Sequence, residues 1–548
     1  MTGLPLSLEH PIAYFSAEYG ISSSIPLYAG GLGILAGDTL KQAAVEKLPM
    51  VGVGLLYRGH SVVQEISAGG WQSDKDYLFD PLSVGLEHVY HNGQPLFIQV
   101  ELGNTTVWLR CWKWVLGPTV TLYLLDSETD QNQLHERSIT QELYAGSEES
   151  QIKQQLLLSI GGVRLLETLG ISPSVYHVNE GRPSFLIWEL VVHLKHRYDL
   201  NYSQAWELAR KKIVYTNHTL VAAGNVNYPA DLLRAFITPY AAKLGVHPDI
   251  LLLPGKNDDS NRFFTTTFAL RASRKASGVS KIHTQLSRQQ WPEYDWVSIT
   301  NGVHFGTWQS STVSLRANNS EALWEAHMQE KKQLAEFVAN RTGYTYDPEK
   351  LVITWARRIA GYKRVDAIFN DIARLQALLK NIDRPVQLLI AGKAHQQDQE
   401  GKKRLQRIIK FMQHELSGSA LFVPNYDIDV AKALTRGSDI WLNTPEIGRE
   451  ACGTSGMKAL SSGVLNCTVA DGWAAEVDWN AKGWVLDSNN VSDHLYSTLE
   501  REIVPLYYER ENGAYPRKWV EMMQQSIELA NSFSAKRMLD QYQSELYT

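Results

Sequence analysis

Two hydrophobic periods alternate along the second half of the chain. Continuous apolar runs at 351–355, 386–391, 420–423, 439–442 and 464–469 read as buried strands. Between them, apolar residues at three- and four-residue steps predict helices over 365–379, 402–416 and 429–436, with a short helix before 464. Strands alternating with helices at this spacing give a parallel sheet covered on both faces. In the first half, 96–100, 106–110 and 120–125 alternate apolar and polar residues, the mark of antiparallel strands. From Gln151 the period changes: Ile152, Leu156, Ile160, Val163 and Leu166 describe a helix ending at Gly170. A strand at 175–178, a turn at Asn179-Glu-Gly181 and a helix over 184–197 follow. The stretch 12–38 breaks from a short apolar run into Ser, Pro and a cluster of glycines. The mostly polar, helix-prone stretch 314–344 marks a boundary, and 517–547 is amphipathic and helical without partner strands. The expected organisation is α/β, with domains over 1–320 and 345–510 and a C-terminal helix, 517–548, packing back on the first.

Composition narrows the class. A chain of 548 residues exceeds one hydrophobic core, and 44% hydrophobic with 20% charged residues excludes disorder, collagen-like repeats and coiled coil. Lys+Arg 53 against Asp+Glu 58 gives net −5, so no overall basic field recruits nucleic acid or an anionic membrane. No apolar run approaches the roughly 20 residues that span a bilayer. The first ten residues have neither a basic nor an apolar targeting region. Cys111, Cys452 and Cys467 are too few and too scattered for a disulfide framework or a zinc site. A cytoplasmic protein with no nucleic-acid or membrane partner is expected.

The residues able to do chemistry fall after the strands, where open parallel sheets bind ligands. Arg357, Arg358, Lys363 and Arg364 follow the first of these runs and Lys393 the second; Asn425-Tyr-Asp427 follows the third. Any one basic pair reads as a solvated helix start. Several at one rim of a sheet describe an anion site, and phosphate is the natural occupant. Gly453-Thr-Ser-Gly-Met-Lys458 is the densest signal. A nucleotide P-loop needs Ser or Thr after the lysine, and Ala459 stands there. The favoured alternative is a carbonyl cofactor bound as an imine to the lysine, its phosphate cradled by the turn. Gly30-Gly-Leu-Gly33 followed by Gly37 lacks dinucleotide spacing. Asn179-Glu-Gly-Arg182, Thr216-Asn-His-Thr219 and Thr300-Asn-Gly-Val-His304 are polar turns that serve as helix caps as readily as sites. His177, His218, His283 and His304 show no metal-ligand spacing, so no metal is expected.

Taken together, FSAEYG, YAGGLGILAGD, ELYAGSEESQIKQQLLLSIGG, HVNEG, YTNHTLVAAGN, ITNGVHFGTW, WARRIAGYKR, NYDIDVAKAL and NTPEIGREACGTSGMKALSSGVLN run in order through most of the chain. In this the chain resembles the α-glucan (glycogen, starch, maltodextrin) phosphorylases, in their short bacterial and archaeal form. The resemblance implies a GT-B type α/β fold, two Rossmann-like domains facing across an active-site cleft. It implies reversible, retaining phosphorolysis of the non-reducing-end glucosyl unit of an α-1,4-glucan by inorganic phosphate, giving α-D-glucose 1-phosphate. It implies pyridoxal 5′-phosphate as an imine on Lys458, its phosphate relaying a proton to substrate phosphate. By the same resemblance, Arg357, Lys363, Thr454 and Ser455 surround the cofactor phosphate, and Trp308, Tyr426, Gly31 and Leu32 lie by the ring. Arg358 holds substrate phosphate with the backbone of Gly30–Gly33, so that Gly30 and Gly33 belong to the substrate site. Asn301, His218 and Glu450 bind the glucosyl unit, with Tyr362, Cys452 and Gly453 nearby; Arg358, Lys363, His218 and Glu450 are the expected catalytic set. No hydrolase-like carboxylate pair is evident, and phosphorolysis needs none. The oligomeric state is left open, a homodimer included.

The chain departs from its resemblance at named positions. Arg182 stands where short-form relatives have His, Glu446-Ile-Gly-Arg449 where they carry arginines, Cys452 in place of Ser, and Ser462 in place of Asn. These touch efficiency and chain-length preference, not reaction class. The N-terminal extension that carries phosphorylation and nucleotide control in long animal forms has no counterpart here, so no such regulation is expected. Two other functions remain open at this point. A nucleotide-sugar glucan synthase of the same fold would show Lys-x-Gly-Gly, where this chain has Tyr28-Ala-Gly-Gly31. A catalytically weak, glucan-binding homologue is the other.

Overall fold

A computed structural model describes residues 6–59, 61–144, 146–220, 225–257, 261–510 and 515–548. Residues 1–5, Ala145 in the segment ELYAGSEESQ, and 221–224 in YTNHTLVAAGN lie outside the described residues. The chain divides into two compact units. The first is Met1–Ser61, Tyr77–Ile299 and Leu539–Thr548; the second is Val62–Asp76 and Thr300–Met538. The C-terminal segment is thus shared between units, and a short early segment belongs to the second.

Among the described residues the first unit carries a sheet of ten strands. Nine of them form its path: β1 (Ile12–Ser16), β2 (Met50–Leu55), β3 (Phe97–Leu102), β4 (Thr105–Gly117), β5 (Val120–Asp126), β6 (Val175–Asn179), β7 (Ile213–Asn217), β8 (Lys275–Gly278) and β9 (Trp296–Ser298). Their spatial order is β3-β4-β5-β2-β1-β6-β7-β8-β9. The β3-β4-β5 meander is antiparallel, and from β5 onward every neighbour is parallel. All five residues of β1 and of β6 are buried, as parallel strands covered on both faces require. The helix expected from Gln151 to Gly170 begins at Glu148, with Ser147 accepting the Ser150 N–H, and a π turn at Leu157–Gly161 interrupts it.

The second unit has a six-stranded parallel sheet: β10 (Leu351–Ala356), β11 (Val386–Ala391), β12 (Ala420–Val423), β13 (Ile440–Asn443), β14 (Leu465–Val469) and β15 (Gly483–Leu486). Its order, β12-β11-β10-β13-β14-β15, is doubly wound, with the switch point between β10 and β13. Five strands match the hydrophobic runs, and β15 is additional. The helix expected over 365–379 is broken: a 3-10 stretch Val365–Phe369 precedes the helix Ile372–Leu379, which Asp371 caps by accepting the Arg374 N–H. The helix expected over 402–416 runs Gln399–Gln413 because Asp398 caps it through the Gly401 N–H.

The helix Ser320–Thr342 is pinned to the second unit by a buried ionic cluster at Asp439, just before β13. Lys331 Nζ donates to Asp439 Oδ2 (2.7 Å), the Lys350 carbonyl (2.7 Å) and the Tyr507 hydroxyl (2.5 Å), while His327 Nε2 lies 2.8 Å from Asp439 Oδ1. Asp439 also accepts the Val352 N–H at 2.7 Å. Burial raises its carboxyl pKa, but Lys331 and His327 outweigh that and hold it low. Replacing Lys331 by Met strands this carboxylate, and the expected loss is about 3–5 kcal/mol. A clearly lowered urea midpoint checks this; an unchanged midpoint contradicts it.

Candidate active site

The switch point of the second sheet collects the charged residues. β10 ends at Ala356 and leads into Arg357, whose N–H donates to the Ala391 carbonyl (3.1 Å). A 3-10 turn, Gly361–Lys363, then buries Lys363. β13 ends at Asn443 and leads through Thr444 to Glu450. Thr444 Oγ1 donates to the carbonyls of Lys363 and Arg364, tying the two loops together. Arg357 Nη2 reaches Glu450 Oε2 at 2.6 Å, and Lys363 Nζ donates to the same oxygen. Gly453 adopts φ +81°, and a Cβ there would meet Glu450 Cγ at 2.9 Å; the close approach needs glycine.

Two cations share one carboxylate, which leaves a surplus positive charge. Burial raises the Glu450 carboxyl, but Arg357 and then Lys363 outweigh it and hold the pKa at about 2. Lys363 is pushed down to about 7 by burial and by Arg357, against the pull of Glu450. Arg357 Nη1 is buried with no hydrogen-bond partner among the described residues. A buried, unpartnered guanidinium N–H beside surplus charge fits an incoming oxyanion.

This sets a pH dependence. An anion bound here favours protonated Lys363, so binding takes up a proton once the free group has lost it. The affinity for sulfate, whose own charge is constant, should therefore be flat below pH 7. Above that it should fall by at most about tenfold per pH unit. Calorimetric titrations of the cofactor-free protein between pH 6 and 9 check this. Lys363→Met should flatten the profile, and a flat wild-type profile contradicts the assignment.

The cations expected at this rim do not all gather there. Arg364, at φ +48°, sends its guanidinium to the carbonyls of Thr444, Pro445 and Ser488 and so braces the loop. Burial lowers the Lys393 amine to about 8, against the pull of Asp427 and Asp74. Arg358 is exposed and hydrogen-bonds Tyr362, whose carbonyl accepts the Glu446 N–H (2.9 Å). The Glu446 and Arg449 side chains are themselves exposed and 4.0 Å apart.

Lys458 lies in the helix Ser455–Leu460, which Thr454 precedes as N-cap. Its buried Nζ sits 3.7 Å from the centre of the Trp308 indole. Arg436, which the sequence reading missed, donates to the carbonyls of Thr307 and Trp308 and fixes that ring's backbone. Ser462 accepts the Ser310 N–H (3.0 Å), tying the two segments further. Ser455 Oγ is 3.2 Å from Trp441 Nε1 and 3.5 Å from Asn443 Oδ1. Tyr426 follows β12, its hydroxyl pKa pushed up to about 12 by burial.

Asn301 is buried with Oδ1 unpartnered among the described residues, and its N–H approaches the Cys452 thiol. Burial pushes that thiol's pKa up, keeping it neutral. Arg537, also missed, donates to the carbonyls of Thr300 (2.6 Å) and Asn301 (2.9 Å).

In the first unit the polar turns follow β1, β6 and β7. Asn179 Nδ2 donates to Ser16 Oγ (3.0 Å), so its Oδ1 is left to accept from His218 Nε2 (2.7 Å). Nε2 then carries the proton, and Nδ1 is an acceptor. Burial, with His283 and His177, lowers the His218 pKa to about 3, a neutral imidazole. Glu180, at φ +69°, accepts from the His218 N–H and the Tyr215 hydroxyl, and burial raises its carboxyl to about 7. The Gly30–Gly33 turn opens the helix Gly31–Val45. The two N–H groups just before that helix are engaged, since Glu18 Oε2 accepts from Ala29 (2.8 Å) and Gly30 (3.2 Å). Arg182 stacks 4.3 Å over the Tyr144 ring.

The structure thus gathers Arg357, Lys363, Glu450 and Gly453 in one cluster, pairs Lys458 with Trp308, Asn301 with Cys452 and Arg358 with Tyr362. Among the described residues, no three His, Cys, Asp or Glu side chains are placed to hold a metal ion. No described helix is long and apolar enough to cross a membrane.

Comparison with known proteins gives the family. The carbohydrate phosphorylase family model matches residues 167–242 and 309–482, which include Lys363, Glu450 and Lys458. The maltodextrin phosphorylase of Thermococcus litoralis is 34% identical over 98% of this chain and 71% of its own. The chain belongs to the carbohydrate phosphorylase family. The glycogen phosphorylase of Aquifex aeolicus is likewise 34% identical, over 98% of this chain and 86% of its own. An uncharacterised protein of Methanocaldococcus jannaschii is 29% identical over 98% of this chain and 99% of its own, a relative of matching length. As a phosphorylase-family fold the chain is of GT-B type, and its two sheets are the mainly parallel, Rossmann-like pair that class requires.

Proposed function

We infer that this chain is a pyridoxal 5′-phosphate-dependent α-1,4-glucan phosphorylase, a glycosyltransferase that moves a terminal glucosyl unit onto inorganic phosphate. The observation that carries the reading is the pairing of a buried amine, Lys458, with an anion-seeking Arg357–Lys363–Glu450 cluster at one sheet's switch point. The residues fit the cofactor. Lys458 sits against Trp308, which offers a flat apolar face to a pyridine ring, and the idle Arg357 Nη1 suits a phosphate oxygen. When bound, pyridoxal phosphate supplies a phosphate group able to exchange a proton with the substrate phosphate.

The chain's own residues do the rest. Lys458 would hold the cofactor's aldehyde carbon, and Arg357, Lys363, Thr454 and Ser455 would hold its phosphate. Trp308 and Tyr426 are the second unit's candidates to line the ring, and Gly31 and Leu32 the first unit's. Arg358, exposed beside Tyr362, is free to offer its guanidinium to the substrate phosphate. Glu450 is held ionised and aimed by two cations, fit to accept from a glucosyl hydroxyl. Asn301, beside Cys452, is fit to accept from a further hydroxyl, and the neutral His218 is the first unit's candidate for the same task. Glycogen, starch or maltodextrin is the glucan; the cytoplasm is the compartment.

Purified protein should show pyridoxal absorbance, release the aldehyde in acid, and turn over glucan plus phosphate. Turnover of a nucleotide sugar without pyridoxal would support a synthase instead. Bound pyridoxal without turnover would leave a glucan-binding homologue.

A further inference from the structure

Residues 62–76 form a hairpin of the strands Ser61–Ile66 and Gln72–Tyr77, and they belong to the second unit although they precede it by more than two hundred residues. Its two buried glutamines are fully engaged. Gln72 Oε1 accepts the Ala394 N–H (3.0 Å) and Gln72 Nε2 donates to the Ala394 carbonyl (2.9 Å). One carboxamide thus makes the pair of bonds that a neighbouring peptide unit would make. Gln64 Nε2 donates to the Gly392 carbonyl (2.9 Å) and to Gln72 Oε1 (2.9 Å). Its Oε1 accepts the Asn425 N–H (2.8 Å), and its own N–H donates to Asn425 Oδ1 (3.3 Å). Lys402 anchors the hairpin through Asp74 Oδ2 at 2.5 Å.

The segment these glutamines hold is the one against which the arginine loop lies. Ile359 bridges Ala394 and donates to the Lys393 carbonyl (2.9 Å). Gly392 packs so closely that a Cβ there would meet the Arg357 carbonyl at 2.0 Å. On the other side, Asn425 is held at φ +58° directly before Tyr426. Movement of 392–394 or 425 therefore moves Arg357, Arg358 or Tyr426.

We propose that Gln64 and Gln72 are positioning residues for the phosphate site, setting the Arg357–Arg358 loop through residues 392–394 and Tyr426 through Asn425. The kinetic part rests on Arg358 holding substrate phosphate, as assigned above. The test is Gln72→Met, and separately Gln64→Met, in the full-length holoenzyme, since methionine keeps the shape and loses the hydrogen bonds. The KM for phosphate should rise on the order of tenfold, with the KM for glucan near wild type. Amide exchange should quicken at 357–359 in either variant, and at 425–426 in Gln64→Met. Gln406→Ala, which removes a contact at the hairpin's far end to the Gly69 carbonyl (2.9 Å), should leave phosphate KM unchanged. An unchanged phosphate KM, both KM values rising together, or an equal rise in Gln406→Ala would overturn the proposal. If wild-type protein performs no phosphorolysis, the functional reading fails but exchange still decides. Unchanged exchange at 357–359 rejects the positioning role by itself.

Discussion

Lys458→Ala yields a protein that retains no pyridoxal phosphate and has no phosphorolytic activity. The amine is buried under the Trp308 ring, in the short helix Ser455–Leu460, beyond the loop that carries Glu450. No other lysine of this segment can replace it, since Lys458 is the sole lysine between Lys432 and Lys482. Absorbance of the purified variant and acid release of aldehyde read the first effect, and product formation reads the second. Covalently held pyridoxal phosphate in Lys458→Ala would remove the basis of the cofactor assignment.

Arg358→Ala keeps the cofactor and loses most of the reaction. Arg358 is exposed, unlike the buried Arg357, and so is available to an incoming dianion. Removing a charge-assisted contact of this kind costs about 2–4 kcal/mol of transition-state binding, roughly thirtyfold to a thousandfold in kcat/KM for phosphate. The pyridoxal content should match wild type. Unchanged kcat/KM for phosphate would refute the role, and loss of pyridoxal would move Arg358 to the cofactor side.

The strands of the second unit were legible because β10 and β11 are buried along their whole length and read as unbroken apolar runs. Helix starts were less legible, for a local reason. Asp371, Asp398 and Asp427 each begin a helix with a side-chain cap, and the apolar period alone starts it elsewhere. The cationic rim could be read as a set but not sorted. That Arg364 braces carbonyls while Arg357 and Lys363 converge on Glu450 depends on the φ +48° at Arg364 and on a partner about ninety residues away. Lys458 stands out through its Gly-Thr-Ser-Gly turn, whereas the roles expected of Glu450 and Asn301 rest on motif resemblance, not on periodicity. Arg436 and Arg537 carried no signal, because a basic residue in a helix looks alike whether it faces solvent or a loop carbonyl. The hairpin was invisible for a similar reason: Gln64 and Gln72 are polar in a polar stretch, and their partners lie 361 and 322 residues away.

The most direct measurement follows the fate of the anomeric carbon. Purified protein with a maltooligosaccharide and inorganic phosphate, observed by phosphorus and proton magnetic resonance, should produce α-glucose 1-phosphate in step with loss of terminal glucosyl units. The pyridoxal-free protein should produce none until the cofactor is restored. Free glucose as the product, the β anomer, or equal turnover without pyridoxal phosphate would contradict the account.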